Sequence, residues 1–546
     1  MNKFSRRQFI DQSIKKLFMV GVSPTAVKLF MTLIASNSFA EQSQLLNGSL
    51  KKYIFLGLYG APPRWLFDLP LTPNGNQNSY TDYFSHSGLG TFIGMQGQSD
   101  PQVIYKPWYD TNSQYWLPPV WGSHPQGGSF TNCLTNAAFI RGIDLEINAH
   151  EFGFLRNLSP VFGGYSISGA LAENTQAVFS AAISGLIASG FKSSANISPV
   201  NLNLDVRGSS NPINDLFKNF NFKIDEKSSN DKKVLQAFND FAKKNMFMQK
   251  KISSAKEKSD FLINQGVSLF VNQWESVFEK YRLKVKESLS YNKTELLFDS
   301  KDLIMSMNLD TDIRLRIDQN KSISGVRNLK SIINDSTDVT NLASAFATIE
   351  ILICSNLTQV ITLDIETIAN LISDSKGSLF QLLFDQHFTG SLVSTIGTTF
   401  FYRCFLNCLE ELIIALKTKG QFKDTLIHIG SEFNRNPRTD GSGSDHGFNG
   451  SSTLLISGMI KKTLVVGNIT RDNQGEYQGT WGLAANHPIS KNEFPIRNND
   501  IVKTVCSMLG LNNVATNGRS ILFNSGSAQN QLWDKFSDSK GEVRNV

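Results

Sequence analysis

Two acids, two arginines and a histidine gather around a glycine-rich loop late in this 546-residue chain. The segment reads Ser431-Glu432-Phe433-Asn434-Arg435-Asn436-Pro437-Arg438, followed by Gly443-Ser444-Asp445-His446-Gly447. Carboxylate plus imidazole suits a divalent metal, and arginines suit the oxygens of an anionic substrate. The same residues also suit a polar surface loop held by a structural ion pair. Within it, Asp440-Gly441-Ser442-Gly443-Ser444-Asp445 has the oxygen content of a calcium loop, without the register of a known motif. Further off, His150 in Asn148-Ala149-His150-Glu151 is either a functional imidazole or a packed surface one. His487, before Pro488, reads as a turn residue.

The elements that must position these residues can be read from apolar runs. Thr425-Leu426-Ile427-His428-Ile429 has strand length, which places the cluster at a strand's C-terminal end, the edge where open α/β sheets bind ligands. Lys52 to Gly60 reads as a buried first strand ending in a glycine turn, and Asn136 to Ile143 as another. The intervening residues, to about Gly128, read as extended loops rich in Gly, Pro, Asn and aromatics. A helix is expected over 171–187, then strands at 200–206, 358–363 and 464–467. Helices are expected at 341–354, at 393–416 closed by Lys417-Thr418-Lys419-Gly420, and at 500–510 ending on glycine. From about 211 to 296 the chain is lysine-rich with Phe, Leu and Val at helical spacing, and the lysines read as solvated faces. Alternating strands and helices predict an α/β protein, a sheet with helices on both faces.

Composition narrows the classes. The length allows a large core, in two to four units or one core with insertions, and 39 Phe argue for a globular chain. A net charge of +6 gives little support for nucleic-acid binding. Five scattered cysteines make no disulfide framework, and Cys404 and Cys408, one turn apart in an apolar helix, read as buried thiols. No Walker loop, GxGxxG, HExxH or GxSxG is present, which argues against nucleotide, zincin and serine-hydrolase chemistry.

The N-terminus reads as an address. Ser5-Arg6-Arg7-Gln8-Phe9-Ile10 fits the twin-arginine export pattern, Leu17 to Ile34 is moderately apolar, and Ser38-Phe39-Ala40 suits cleavage before Glu41. Lys28 and Pro24 weigh against a permanent anchor, so no stable membrane span is expected after cleavage. The expected location is periplasmic, or otherwise exported, and the expected partner is the twin-arginine translocation machinery. Folding before export, in a reducing compartment, agrees with the sparse cysteines.

Ser-Glu-Phe-x-Arg-x-Pro-Arg followed by Asp-His-Gly resembles the exported bacterial family called domain of unknown function 1501 (DUF1501). Phe384-Asp385-Gln386-His387 resembles that family's Trp-Asp-Thr-His motif, and Tyr59-Gly60-Ala61-Pro62-Pro63 its first-strand Gly-Gly-Pro turn. The resemblance covers 51–160 loosely and 341–511 well. It implies a three-layer αβα sandwich of the alkaline phosphatase-like and sulfatase-like kind, carrying a helical insertion. The implied units are a signal peptide at 1–40, half the core at 41–211, the insertion at 212–340, and the second half at 341–546.

The resemblance also implies a divalent metal (Zn, Mn, Mg or Ca) held by Asp385, His387, Glu432 and His446. His150, Arg435 and Arg438 would then act on a small anionic phosphate or sulfate ester. Two departures stand out. The acid expected after the first strand is missing, with Asp68 the nearest carboxylate, and Phe433 replaces a histidine. The rival expectation is therefore a non-catalytic relative that binds an envelope component in the same cleft.

Overall fold

The computed structural model describes residues 50–62, 72–73, 108–160, 164–173, 179–183, 191–193, 199–202, 267–290, 337–365, 367–373, 378–383, 385, 391–437, 444–447, 450–467, 469–471, 481–484, 496–512, 514 and 516–521. The twin-arginine segment lies outside them, as do His387, Arg438 and His487. In chain order the strands that matter here are β1 (Lys52–Leu58), β2 (Ala137–Asp144), β3 (Phe179–Ile183), β4 (Val200–Leu202), β5 (Thr358–Ile365), β6 (Thr425–Gly430), β7 (Asn434–Pro437), β8 (Ser444–Gly447), β9 (Ser451–Ile456), β10 (Leu464–Val466) and β11 (Ile496–Arg497). The helices are α1 (His150–Leu158), α2 (Ile167–Glu173), α3 (Val267–Ser290), α4 (Thr337–Cys354), α5 (Ser391–Thr418) and α6 (Asn498–Leu509).

Nine described strands make one sheet in the order β10-β2-β9-β6-β1-β5-β3-β4, with β11 also pairing with β2. β1 lies parallel to β6 on one side and β5 on the other, and Gly57 faces both Gly430 and Asp364. β9 runs antiparallel to both β6 and β2, while the other described pairings of this sheet are parallel. The chain therefore forms a mixed α/β structure, as its alternating elements predict.

Strand periodicity divides the core. Ile54, Leu56, Leu58, Ile427, Ile429, Ile361 and Leu363 pack with α3, α4 and α5, whereas Tyr53, Phe55, Val360 and Leu426 pack with α1, α2 and α6. The expected helix over 171–187 is corrected. It is split into α2 and the strand β3, where Phe179-Ser180-Ala181-Ala182-Ile183 is paired on both sides, by β5 and β4. Small residues with good helix propensity are overridden there by sheet pairing. Within the stretch read as loops, Trp108–Asp110 and Tyr115–Leu117 form an antiparallel pair.

α3 carries part of the lysine-rich region and packs against α4 and α5. Phe270, Trp274, Tyr281, Val285 and Ser288 are buried at spacings of three, four or seven, the helical stripe expected of a core-facing helix. Lys280 is not simply a solvated lysine: its Nζ lies 2.7 Å from Glu350 and 3.1 Å from Glu411, bridging α4 and α5. The buried Tyr281 hydroxyl donates to Glu350, and burial raises its pKa well above the usual range. α4, α5 and α6 end in the same way, with Asn356, Gly420 and Gly510 at positive φ. The following N–H groups of Leu357, Gln421 and Leu511 each reach back to a carbonyl of the last turn.

His428, the polar residue in the β6 run, is a satisfied core histidine. The Thr453 hydroxyl donates to the Ile429 carbonyl at 2.8 Å, so it accepts from His428 Nε2–H, also at 2.8 Å. Nδ1 then accepts from the Tyr53 hydroxyl at 2.8 Å, and burial lowers the pKa to about 3. No helix among the described residues is long and apolar enough to cross a membrane.

Candidate functional site

At the C-terminal ends of β1 and β6 the chain makes two tight exits that hold one another. After β1, Gly60 and Ala61 both take positive φ, 103° and 70°. For Ala61 that conformation costs about 1–2 kcal/mol. The bonds that compensate come from the other exit. The Gly60 N–H donates to Glu432 Oε1 at 2.6 Å, Arg435 Nε donates to the Gly60 carbonyl at 2.9 Å, and Arg435 N–H to the Pro62 carbonyl at 3.1 Å. This clamp occupies the turn where the resemblance places an early acid.

Glu432 is fully buried, and its carboxylate is surrounded by protein donors. Besides Gly60, His150 Nδ1 lies 2.7 Å from Oε1, and the Ser431 hydroxyl lies within reach of both Oε2, at 2.8 Å, and the Leu58 carbonyl, at 2.7 Å. A carboxylate accepts, so His150 donates from Nδ1, which leaves Nε2 as the ring atom turned away from Glu432. His150 opens α1, which follows β2, and its side chain is 24 % exposed. Its Nε2 lies 3.7 Å from Asp385 Oδ2.

The remaining candidates arrange themselves around this pair. Asp385, 40 % exposed, pairs through Oδ1 with Arg435 Nη2 at 2.5 Å, while Arg435 itself is 0 % exposed. Arg435 is thus turned into the protein, toward Gly60 and Asp385. His446, opposite Arg435 in the β7–β8 pair, donates from Nδ1 to the Asn148 side-chain carbonyl. Its ring lies over Phe433 with centroids 4.1 Å apart, and edge-on to His150 at 4.7 Å. Phe433 therefore fills its position with ring packing against both histidines.

The structure brings His150, Asp385, Glu432, Arg435 and His446 together, while His387 and Arg438 lie outside the described residues. The metal expectation meets the geometry less well. Glu432 is buried and hydrogen-bonded at both oxygens, and Asp385 gives one oxygen, Oδ1, to a guanidinium. Among the described residues, no group of three or more His, Cys, Asp or Glu side chains could hold a metal ion. The described donors alone make no metal site, and His387, the fourth member of the expected set, lies outside them. The Asp440–Asp445 loop lies largely outside the described residues. The cysteines among the candidates are free thiols, with Cys404 and Cys408 buried.

Sequence reasoning missed Asn148, Gly153 and Asn157. The last two had a signal, since Gly153 and Asn157 fall three and seven residues after His150, on its own helix face. What the arrangement can do chemically is move a proton at His150 Nε2, beside a half-exposed carboxylate and a second imidazole.

No curated protein and no solved structure matches this chain. Residues 384–520, about a quarter of it, match a family model described as "Protein of unknown function (DUF1501)". The matched span contains Asp385, Glu432, Arg435 and His446, whereas His150 and the Gly60–Ala61 turn lie outside it. That match supports placing the chain with the DUF1501 family.

Proposed function

We propose that this chain is an exported hydrolase of small phosphate or sulfate esters, built on a sheet of the alkaline phosphatase-like kind, with His150 as its proton-transfer group. The observation that carries the reading is the 2.7 Å contact from His150 Nδ1 to the buried Glu432 carboxylate. In this reading Nε2, beside Asp385 on a partly exposed side chain, is the proton-transfer atom. Nε2 takes a proton from water as the water oxygen bonds to phosphorus or sulfur. The bond to the ester oxygen breaks, and the leaving alkoxide takes that proton back from Nε2. Glu432 orients the ring and stabilises the imidazolium formed in between. Export through the twin-arginine route rests on Arg6, Arg7 and the Ser38-Phe39-Ala40 cleavage pattern.

The test is a panel of phosphomonoesters, phosphodiesters and sulfate esters with the mature protein and His150→Ala. It is run after chelation and again with added zinc, manganese, magnesium or calcium. A proton-transfer role predicts that His150→Ala loses about 100-fold or more in kcat/KM on the best substrate. Equal turnover by the two proteins overturns the reading. For export, cell fractionation of the full chain should find it outside the cytoplasm, and Arg6→Lys/Arg7→Lys should retain it inside.

A second reading, a non-catalytic protein that binds an envelope component at this edge, draws on Arg435. Its guanidinium is buried against Gly60 and Asp385, where it holds the turn after β1. Saturable binding of an envelope extract component, with no ester turned over, would favour it.

A further inference from the structure

α1 meets the chain leaving β6 along a single face. His150 reaches Glu432, Gly153 lies one turn on, and Asn157 one turn further. Asn157 is buried, and its Nδ2 donates to the Ser431 carbonyl at 2.6 Å. Its contacts with the Gly153 and Phe154 carbonyls, at 3.3 Å, are longer. A Cβ added at Gly153 would lie 3.0 Å from both the Cβ and the carbonyl oxygen of Glu432. The helix is thus drawn in at Asn157 and admitted at Gly153. The Ser431 carbonyl belongs to the peptide plane that carries the Glu432 nitrogen, so fixing it restricts where the Glu432 Cα–Cβ bond points.

We propose that Asn157 is a positioning residue: its amide, working against the gap at Gly153, fixes the Glu432 carboxylate so that His150 keeps its proton on Nδ1. The inference rests on the reading of His150 as the proton-transfer group, but the tautomer can be observed whether or not an ester is cleaved.

The experiment uses the mature chain labelled with nitrogen-15 at histidine, with Asn157→Ala and Gly153→Ala as variants and His150→Ala to assign the signal. His428 is the internal reference for an intact core, because its proton sits on the opposite nitrogen, Nε2, held by Thr453 rather than by Asn157 or Glu432. Wild type should show Nδ1–H at His150. Each variant should lose that tautomer while the His428 signal persists, and kcat should fall about 10- to 100-fold with KM nearly unchanged. An unchanged His150 tautomer in Asn157→Ala, with the His428 signal intact, overturns the proposal. Should Asn157→Ala fail to fold, the same result in Gly153→Ala overturns it. If the tautomer is lost but wild type cleaves no ester, the positioning role stands and the hydrolase reading falls.

Discussion

His428 makes the protein's stability acid-sensitive by an amount that follows from its surroundings. In the fold both ring nitrogens are satisfied by Tyr53 and Thr453, neither of them an anion, and burial holds the pKa at about 3. In the unfolded chain the ring titrates near the ordinary 6.5. Between those values the unfolded state binds the extra proton, so stability falls as pH falls through that window. Linkage gives a loss of about 2 kcal/mol at pH 5, about 3 at pH 4, and a limit of about 5 below pH 3. The perturbation is Tyr53→Phe/His428→Leu, which removes both polar partners so that no tyrosine hydroxyl is left without an acceptor. Thr453 keeps its bond to the Ile429 carbonyl. The assay is urea unfolding of wild type and double variant at pH 7, 5 and 4. The wild type should lose about 3 kcal/mol more than the variant between pH 7 and pH 4. Equal losses would refute the claim that burial keeps this imidazole neutral.

Other consequences are as direct. Ala61→Gly removes a left-handed alanine from the clamped turn and should stabilise the protein by up to about 1 kcal/mol in urea unfolding, with any His150-dependent activity retained. Gly57→Ala should destabilise by at least about 1–3 kcal/mol, since its Cβ would meet the Phe154 ring at 2.2 Å; a wild-type unfolding midpoint would contradict the α1 docking described above. Lys52 is buried at the start of β1, with Nζ donating to the Ile353 carbonyl and to Asn356 Oδ1, and burial lowers its pKa to about 8. Because the folded state loses this proton first, stability should rise as pH climbs from about 8 toward 10.5. Lys52→Met should flatten that rise by roughly 2–3 kcal/mol in unfolding curves across the window.

What was legible in the sequence was local. β1 and β6 announced themselves as uninterrupted apolar runs, and α5 and α6 by their closing glycines, because burial on both faces and helix termination each leave a mark within a few residues. β3 did not, because its alanines favour a helix until β5 and β4 are placed beside them. The charged cluster was found, but the part Glu432 plays was not. Its partner His150 is 282 residues away, and nothing near Glu432 shows that its oxygens are taken by a histidine, a backbone N–H and a serine. Likewise Arg435 reads as an anion ligand until Asp385, 50 residues upstream, and Gly60 are seen to hold it.

β9, the reversed strand, has a consequence for how the site is assembled. It lies between β6 and β2, the strands that lead to Glu432 and His150, and separates them by two strand spacings, roughly 10 Å. Since β9 starts at the edge where its neighbours end, the chain leaves by β6, turns through the β7–β8 pair and re-enters at Ser451 and Ser452. Asn434 stitches that return, its Oδ1 accepting from the Ser452 N–H at 2.7 Å and the Ser452 hydroxyl at 3.0 Å. The two groups that share a proton thus stand on opposite banks of one inserted strand, and α1 is the bridge. Lengthening or shortening the β8–β9 connection should alter the span between them before it alters either residue's own surroundings.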